Sequence, residues 1–531
     1  MAPDLAPAPP RPPPRPPPRP GLRKIEPYWY PYTTMAKGRW VGREILEIVS
    51  TEFRDRSVEY YKYALDSGVT TINGKVAKPD TIVRNGDRME NIVHRHEPPV
   101  TSTPVKILHH DADREFIVIN KPGSIPVHAT GRYYFLSLVE ILQREFSYGK
   151  VYTVNRLDRL TSGLMIIGLS SQRANLLTQE FMAGEVKKEY IARCAGEFPA
   201  EEVVVDQPLL TVDRQMGLNI VHPDGKPAKT IFTRLHYDAN TDSSVLHCRP
   251  LTGRSHQIRV HLQYLGFPVA NDPVYSETRI WGPNLGKGGI DTTPSEARPA
   301  PVQPAALQSS GAALTSEGTL PLPASSPRPP DALPTPAATE PAPQPDGAKL
   351  LPRETGQDIG MGSPVPLSAE AVGVITRLRN MKDEDEDWSR WRDVIFKAKG
   401  KLHPTGMTMK PLPLPHRRER GGPAYAGTEP RPQNASAQTA SAAQQAAVQA
   451  QNGGVLFCAE CYLPLHPDPP AEKLYIFLHA LRYTTSLGVF ETGMPEWAGA
   501  GWAWAEGEAR GRARAEAEAE RRGSMDNRTL G

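Results

Sequence analysis

Apolar residues along the chain change their spacing from region to region, and the spacing predicts the elements. In the stretch 38–98, Val58, Tyr61 and Leu65 fall on one helical face, with Ser57 placed to cap and Gly68 to stop the helix. Val69-Thr70-Thr71-Ile72 then runs into Asn73-Gly74, and Val83 precedes Asn85-Gly86-Asp87, so two strand and turn signals follow within a short span. From Lys106 the texture becomes strand-rich. Phe116–Ile119, Val151–Val154, Leu164–Leu169, Tyr190–Ala192, Thr230–Leu235 and Val245–Cys248 read as strands. Leu136–Leu142 and 172–182 read as helices, and a further helix starts near Ser255 with Ile258, Leu262 and Leu265 on one face and Gly266 as its stop. The pattern lapses after 281 and returns at Leu474–Tyr483, so 282–454 is expected to be an insertion within one domain. Inside it, Trp388, Trp391, Ile395 and Phe396 form a stripe expected as a short docked helix over 383–399, a partner-binding helix being the alternative.

Composition explains where folding stops. Of 531 residues 56 are proline, and 11 of these lie in residues 1–20 among Arg11, Arg15 and Arg19. Residues 291–350 hold 14 more and no Ile, Phe, Tyr or Trp. Neither stretch can bury enough apolar surface to offset its conformational entropy. Residues 1–37 are therefore expected as a disordered arm, suited to an SH3- or WW-type partner, and 499–531 as a disordered or solvated tail. The net charge of +3 excludes a uniformly basic protein and leaves a local basic groove open. Lys75, Lys78, Arg84 and Arg88 cluster on the 38–98 strands, where RNA phosphates or plain solvation are the two readings.

Four cysteines at irregular spacing do not make a disulfide framework, which favours a reducing compartment. The most apolar window is far too short to span a membrane. Residues 1–20 have no secretory core, and their prolines oppose a helical mitochondrial presequence, so nucleus or cytoplasm is expected ahead of the mitochondrion.

Three segments place charged residues beside apolar elements: Asn155-Arg156-Leu157-Asp158-Arg159-Leu160-Thr161-Ser162-Gly163, Lys187-Lys188-Glu189-Tyr190, and Gly253-Arg254-Ser255-His256-Gln257-Ile258-Arg259. Taken alone, a carboxylate between two arginines is usually a structural ion pair. Together with Asn120-Lys121-Pro122-Gly123, in this order and spacing, the segments resemble the RluA-type RNA pseudouridine synthases, and more closely the eukaryotic RNA pseudouridylate synthase domain-containing proteins. The 38–98 unit resembles the S4 RNA-binding domain, and Phe477–Leu481 resembles the family's closing segment.

The resemblance implies an α+β fold, with a mixed, mainly antiparallel sheet at 104–281 closed by 455–498 and preceded by a small S4-like α/β module. It implies Asp158 as the catalytic aspartate, Tyr190 as the tyrosine packing on the target base, and Arg254 as the arginine pairing with the aspartate. Arg156 would enter the gap left by a flipped nucleotide, and Lys121 and Arg259 join the RNA-binding set. Asn155 departs from the histidine of many bacterial members, which bears on substrate choice. The implied reaction isomerises uridine in RNA, transfer or messenger RNA ahead of ribosomal, in a monomer without metal or organic cofactor. A non-catalytic RNA-binding or folding factor on the same scaffold is the alternative, and an adaptor acting through the arm and insertion could coexist with either.

Rival motifs mostly fail. Cys458-x-x-Cys461 has zinc spacing but lacks a second such pair, with His466 and His479 as neighbours in sequence, so two ordinary thiols are favoured over a bound zinc. No histidine begins the H-x-E of a deaminase, and the phosphate-loop and serine-hydrolase signatures are absent.

Overall fold

The computed structural model describes residues 21–52, 58–214, 217–292, 363–386, 458 and 468–529. Its first part contains β1 (Leu22–Arg23), β2 (Tyr28–Met35), α1 (Ile45–Glu52), α2 (Val58–Asp66), β3 (Thr70–Ile72), β4 (Lys75–Val76), β5 (Arg88–Arg95) and β6 (Val100–Thr101). Four strands form an antiparallel sheet in the order β2-β5-β3-β4, packed through Trp40, Ile45, Ile48, Tyr61, Leu65 and Met89 on the two helices. The β3–β4 turn is Asn73-Gly74, both at positive φ (54° and 77°), as a tight primed hairpin turn requires. Ser57, the expected cap of α2, lies outside the described residues.

The expectation of disorder through residue 37 does not hold beyond the arm's proline run. Tyr28–Met35 pairs along its whole length with β5, from Tyr28↔Arg95 to Met35↔Arg88. Pro31 obscured the strand pattern, yet β2 is an edge strand, where a residue without an N–H is tolerated.

The second part carries β7 (Lys106–Asp111), β8 (Phe116–Lys121), α3 (Leu138–Glu145), β9 (Tyr152–Thr153), β10 (Ser162–Gly168), α4 (Ser171–Ala183), β11 (Lys187–Ala195), β12 (Val203–Asp206), β13 (Leu209–Asp213), β14 (Leu218–Val221), β15 (Lys229–Asp238), β16 (Ser243–Pro250), α5 (Gln257–Leu265) and α6 (Thr278–Trp281). Within the insertion lies α7 (Ala369–Glu386), and after it come β17 (Leu478–Thr485), β18 (Gly488–Glu491) and α8 (Ala505–Thr529). One sheet runs β12-β15-β16-β11-β17-β10-β8-β7, with β9 and β18 attached to β10 and β17. Its pairs are antiparallel except β10 with β17, which makes it mixed.

β17 thus lies in the interior of the sheet although its Tyr483 is 293 positions from Tyr190 of β11 in sequence. Ser162 and Gly163 align with His479 and Ala480. Gly163 sits at φ +116°, and a Cβ there would overlap the backbone of Ala480, so glycine is what permits the close pairing. Two cores flank this junction. Ile117, Ile119, Leu142, Leu164 and Ile166 build one, and Ile191, Phe232, Leu246, Leu262 and Phe477 build the other.

Two further expectations change. Residues 387–399, with Trp388, Trp391, Ile395 and Phe396, lie outside the described residues. The docked helix of the insertion is α7, whose Ala371, Val374, Ile375 and Leu378 are buried, with the last three packing into the cluster of Tyr275 and Trp281, and whose Arg379 pairs with fully buried Asp213 at 2.6 Å. The tail is not all solvated either. Trp502 and Trp504 stack on one another and meet Phe477 edge-on, and Arg514 of α8 reaches Asp242 at 2.6 Å and Glu197 at 3.1 Å. Those tryptophans supply the apolar area that the Ala-Glu-Arg repeat of α8 lacks.

Candidate active site

Asp158 lies in the loop between β9 and β10, where the turn is closed by Thr161 N–H donating to the Asp158 carbonyl at 3.1 Å. Leu157 beside it is buried, which anchors the loop and leaves the carboxylate about a quarter exposed, at 25%. Opposite stands α5. His256, at φ 57°, reverses the chain just before the helix, and Arg259 is carried inward one turn later. Its Nη1 donates to Asp158 Oδ2 at 3.0 Å, while Nε and Nη2 grip Asp272 at 2.6 and 2.9 Å. Asp272 is itself fixed, since its Oδ1 accepts the backbone N–H groups of Val274 and Tyr275. The guanidinium also lies 4.9 Å from the Tyr275 ring centroid. A planar fork held on two sides is pre-aimed at Asp158, an arrangement that lysine cannot copy.

The electrostatics follow. Burial opposes ionisation of Asp158, but the positive charges of His256, Arg259 and Arg156 outweigh it and hold the carboxyl below its ordinary pKa. His256 exerts its pull only as imidazolium, and burial lowers its own pKa against the attraction of Asp158. At neutral pH the permanent cation Arg259 therefore carries the interaction. Asn219 N–H donates to the Tyr275 hydroxyl at 3.1 Å, and that hydroxyl lies 2.9 Å from His256 Nδ1. A neutral His256 satisfies this chain by accepting at Nδ1 and turning Nε2–H toward Asp158, 3.5 Å away.

Tyr190 enters from β11 at an irregularity between Glu189 and Tyr190 in the pairing with β17. Its hydroxyl lies 2.9 Å from that of Tyr483, which also accepts from Asn155 Nδ2 at 3.3 Å. Burial and the charge of Asp158 push the Tyr190 phenol up to about 12, against the Tyr483 hydrogen bond, so it is protonated at physiological pH. The site thus combines an ionised, directed carboxylate with an aromatic face and a protonated phenol.

The other residues singled out by sequence are distributed differently. Arg254 does not pair with Asp158: it precedes the reversal at His256, is exposed, and donates through Nε to the Pro227 carbonyl at 2.9 Å. Arg259 takes that place and, at 5% exposure, has no surface for an RNA phosphate. Lys121 does not face solvent either. It is fully buried, with Nζ 2.9–3.3 Å from the carbonyls of Pro122, Ile125 and Arg159, and burial lowers its pKa to about 7 despite the charge of Asp158. Arg88 is buried against Glu90 at 2.7 Å. Lys75, Lys78, Arg84 and Arg156 are exposed. His256, Asp272, Tyr275 and Tyr483 were not marked by the sequence as site residues; only His256 carried a signal, inside the segment that also holds Arg254 and Arg259.

Residues 115–264 match the family model described as RNA pseudouridylate synthase. The chain is 48% identical over 272 residues to the mitochondrial tRNA pseudouridine(32) synthase of Saccharomyces cerevisiae, covering 50% of this chain and 58% of that one. It is 38% identical over 269 residues to RNA pseudouridine synthase 7 of Arabidopsis thaliana, covering 49% and 67%. Among solved structures, human RNA pseudouridylate synthase domain containing 1 matches at 26% identity with a TM-score of 0.30, covering 34% and 72%. The chain spans about half the length of several curated relatives it matches. The yeast relative overturns the expectation of nucleus or cytoplasm: the proline argument concerned residues 1–20 alone, whereas a protein sharing 48% of the matched residues is mitochondrial by name.

Proposed function

Because the chain belongs to the RNA pseudouridylate synthase family, we propose that it isomerises uridine to pseudouridine in RNA, transfer RNA ahead of other classes, with Asp158 as the catalytic carboxylate. The observation that carries this reading is the state of Asp158: its charge is favoured, its direction is held by Arg259, and part of its surface is open to an incoming nucleotide. The reaction breaks C1′–N1, turns the base and forms C1′–C5, so a proton leaves C5 and one is gained at N1. Attack by the carboxylate on sugar or base, or removal of the 2′ proton, each begins from the ionised form.

Tyr190 is the platform for the flipped base, a stacking interaction worth about 1–3 kcal/mol against an extrusion cost of a few. Arg156, exposed two residues before Asp158, fills the space the nucleotide leaves. The four-stranded unit at 28–95 acts as an S4-like module, touching phosphates through Lys75, Lys78 and Arg84, all three exposed. The compartment proposed is the mitochondrion, by the similarity to the yeast enzyme.

The test is Asp158→Asn on a tRNA transcript. Isosteric loss of the charge should cut pseudouridine formation by at least about 10²–10⁴-fold while most RNA affinity remains. Equal product from both proteins would overturn the role of Asp158, and no product from either would leave a non-catalytic RNA-binding factor as the reading.

A further inference from the structure

His94, the penultimate residue of β5, and His96, just beyond its end, are two apart on extended backbone and face the same way. Arg95 between them points elsewhere, its guanidinium 4.6 Å from the Tyr30 ring and donating to the Gly131 carbonyl. Cys458, from the far side of the insertion and 364 residues distant from His94 in sequence, closes on the pair. Its thiol, outside any disulfide and 8% exposed, lies 3.6 Å from His94 Nδ1, and that nitrogen lies 3.1 Å from His96 Nε2. Ligand atoms of all three residues fall within 4.8 Å of one another.

The two separations from His94 Nδ1 are those of ligands around one small ion. For Zn²⁺ with Zn–N near 2.0–2.1 Å and Zn–S near 2.3 Å, tetrahedral angles put N and N about 3.3 Å apart and N and S about 3.6 Å apart. An imidazole nitrogen has one in-plane lone pair, and here a thiol and a second ring nitrogen converge on the same Nδ1. An ion at the common point uses each lone pair once. Two imidazoles and a thiolate are a borderline-soft set that suits zinc rather than Mg²⁺ or Ca²⁺. Trp29, aligned with His94 across β2 and β5 and 4.6 Å from its ring, walls one side with apolar surface. The Cys458-x-x-Cys461 spacing points the same way from the sequence; Cys461 lies outside the described residues and is not needed for the geometry.

We propose that His94, His96 and Cys458 bind a structural zinc ion that pins the end of β5 to the chain returning from the insertion. Its role is structural, and no step of the isomerisation is routed through it. The full chain, expressed with added zinc and dialysed into metal-free buffer, should carry about one zinc per molecule by mass spectrometry. His94→Ala with His96→Ala, and separately Cys458→Ser, should lower that at least tenfold in protein that remains monomeric. Should those variants misfold, Co²⁺ added to metal-stripped wild type gives a second readout: a thiolate-to-cobalt charge-transfer band, lost when Cys458 is alkylated in the metal-stripped chain before cobalt is added. A wild type with little zinc, folded variants with undiminished zinc, or cobalt binding without a thiolate band would each overturn the proposal.

Discussion

Replacing Arg259 by lysine keeps the positive charge and removes the fork. Three hydrogen bonds are at stake, two to Asp272 at 2.6 and 2.9 Å and one to Asp158 at 3.0 Å, and one ammonium on a straight stem cannot span both carboxylates. A hydrogen bond to a charged group contributes about 1.5–3 kcal/mol, and at 1.36 kcal/mol per tenfold its loss at Asp158 slows the chemical step by about 10- to 150-fold. Stability falls by about 1–3 kcal/mol, less than the 3–5 expected on breaking a buried pair outright, because the charge beside Asp272 survives. Single-turnover conversion of a tRNA uridine, measured on protein whose folded fraction is fixed by urea titration, separates the two effects. Arg259→Met extends the test to pH. The carboxylate is the active form; with burial no longer opposed by a permanent cation its pKa rises, so activity is lost as pH falls at a higher pH than in wild type, and the deficit narrows toward pH 8. An Arg259→Lys rate equal to wild type, or a larger loss from Arg254→Lys, would refute the assignment and return the partner role to Arg254.

Tyr190→Phe keeps the stacking face and should cost less than tenfold in single-turnover rate, whereas Tyr190→Ala forfeits the 1–3 kcal/mol of stacking, about 5- to 150-fold; equal impairment would assign the role to the hydroxyl. Changing Lys75 and Lys78 to glutamine should flatten the slope of log affinity against log salt by about 0.7–0.9 for each phosphate no longer neutralised, and an unchanged slope would leave the two lysines as a solvated face. Lys121→Met removes the donor from three carbonyls and should destabilise the domain by about 2–4 kcal/mol at neutral pH. Lys121 titrates near 7 when folded and at its ordinary higher value when unfolded, so the unfolded chain binds more protons in between and wild-type stability rises with pH across that window. The melting-temperature advantage of wild type over Lys121→Met should therefore widen from pH 7 to 9; a constant gap would mean that Lys121 is not depressed.

What the sequence determined by itself is what short-range spacing encodes. Asn73-Gly74 needs two positive φ angles wherever it falls, and the apolar runs at 116–119 and 164–168 bury themselves as strands, whereas Asp158 and Tyr190 were singled out by the family resemblance of the charged segments and not by their spacing. The pattern rules also extend to α7, where Ala371, Val374, Ile375 and Leu378 make a helical stripe that the larger tryptophans downstream overshadow. Tertiary structure decided which partners meet. Arg254 and Arg259 are equally basic in sequence, and only the left-handed turn at His256 sends one to Pro227 and the other to Asp158, 101 residues away. Lys121 reads as a surface cation until three carbonyls enclose it. Residues 478–485 show only a mixed apolar and polar pattern until they slot between β10 and β11, and Cys458 is one half of a short motif until the end of β5 presents two imidazoles to it. Side-chain periodicity is set by neighbours two to four positions away, whereas charge pairing, burial of a cation and ligand sets depend on distances in space, which local pattern does not specify.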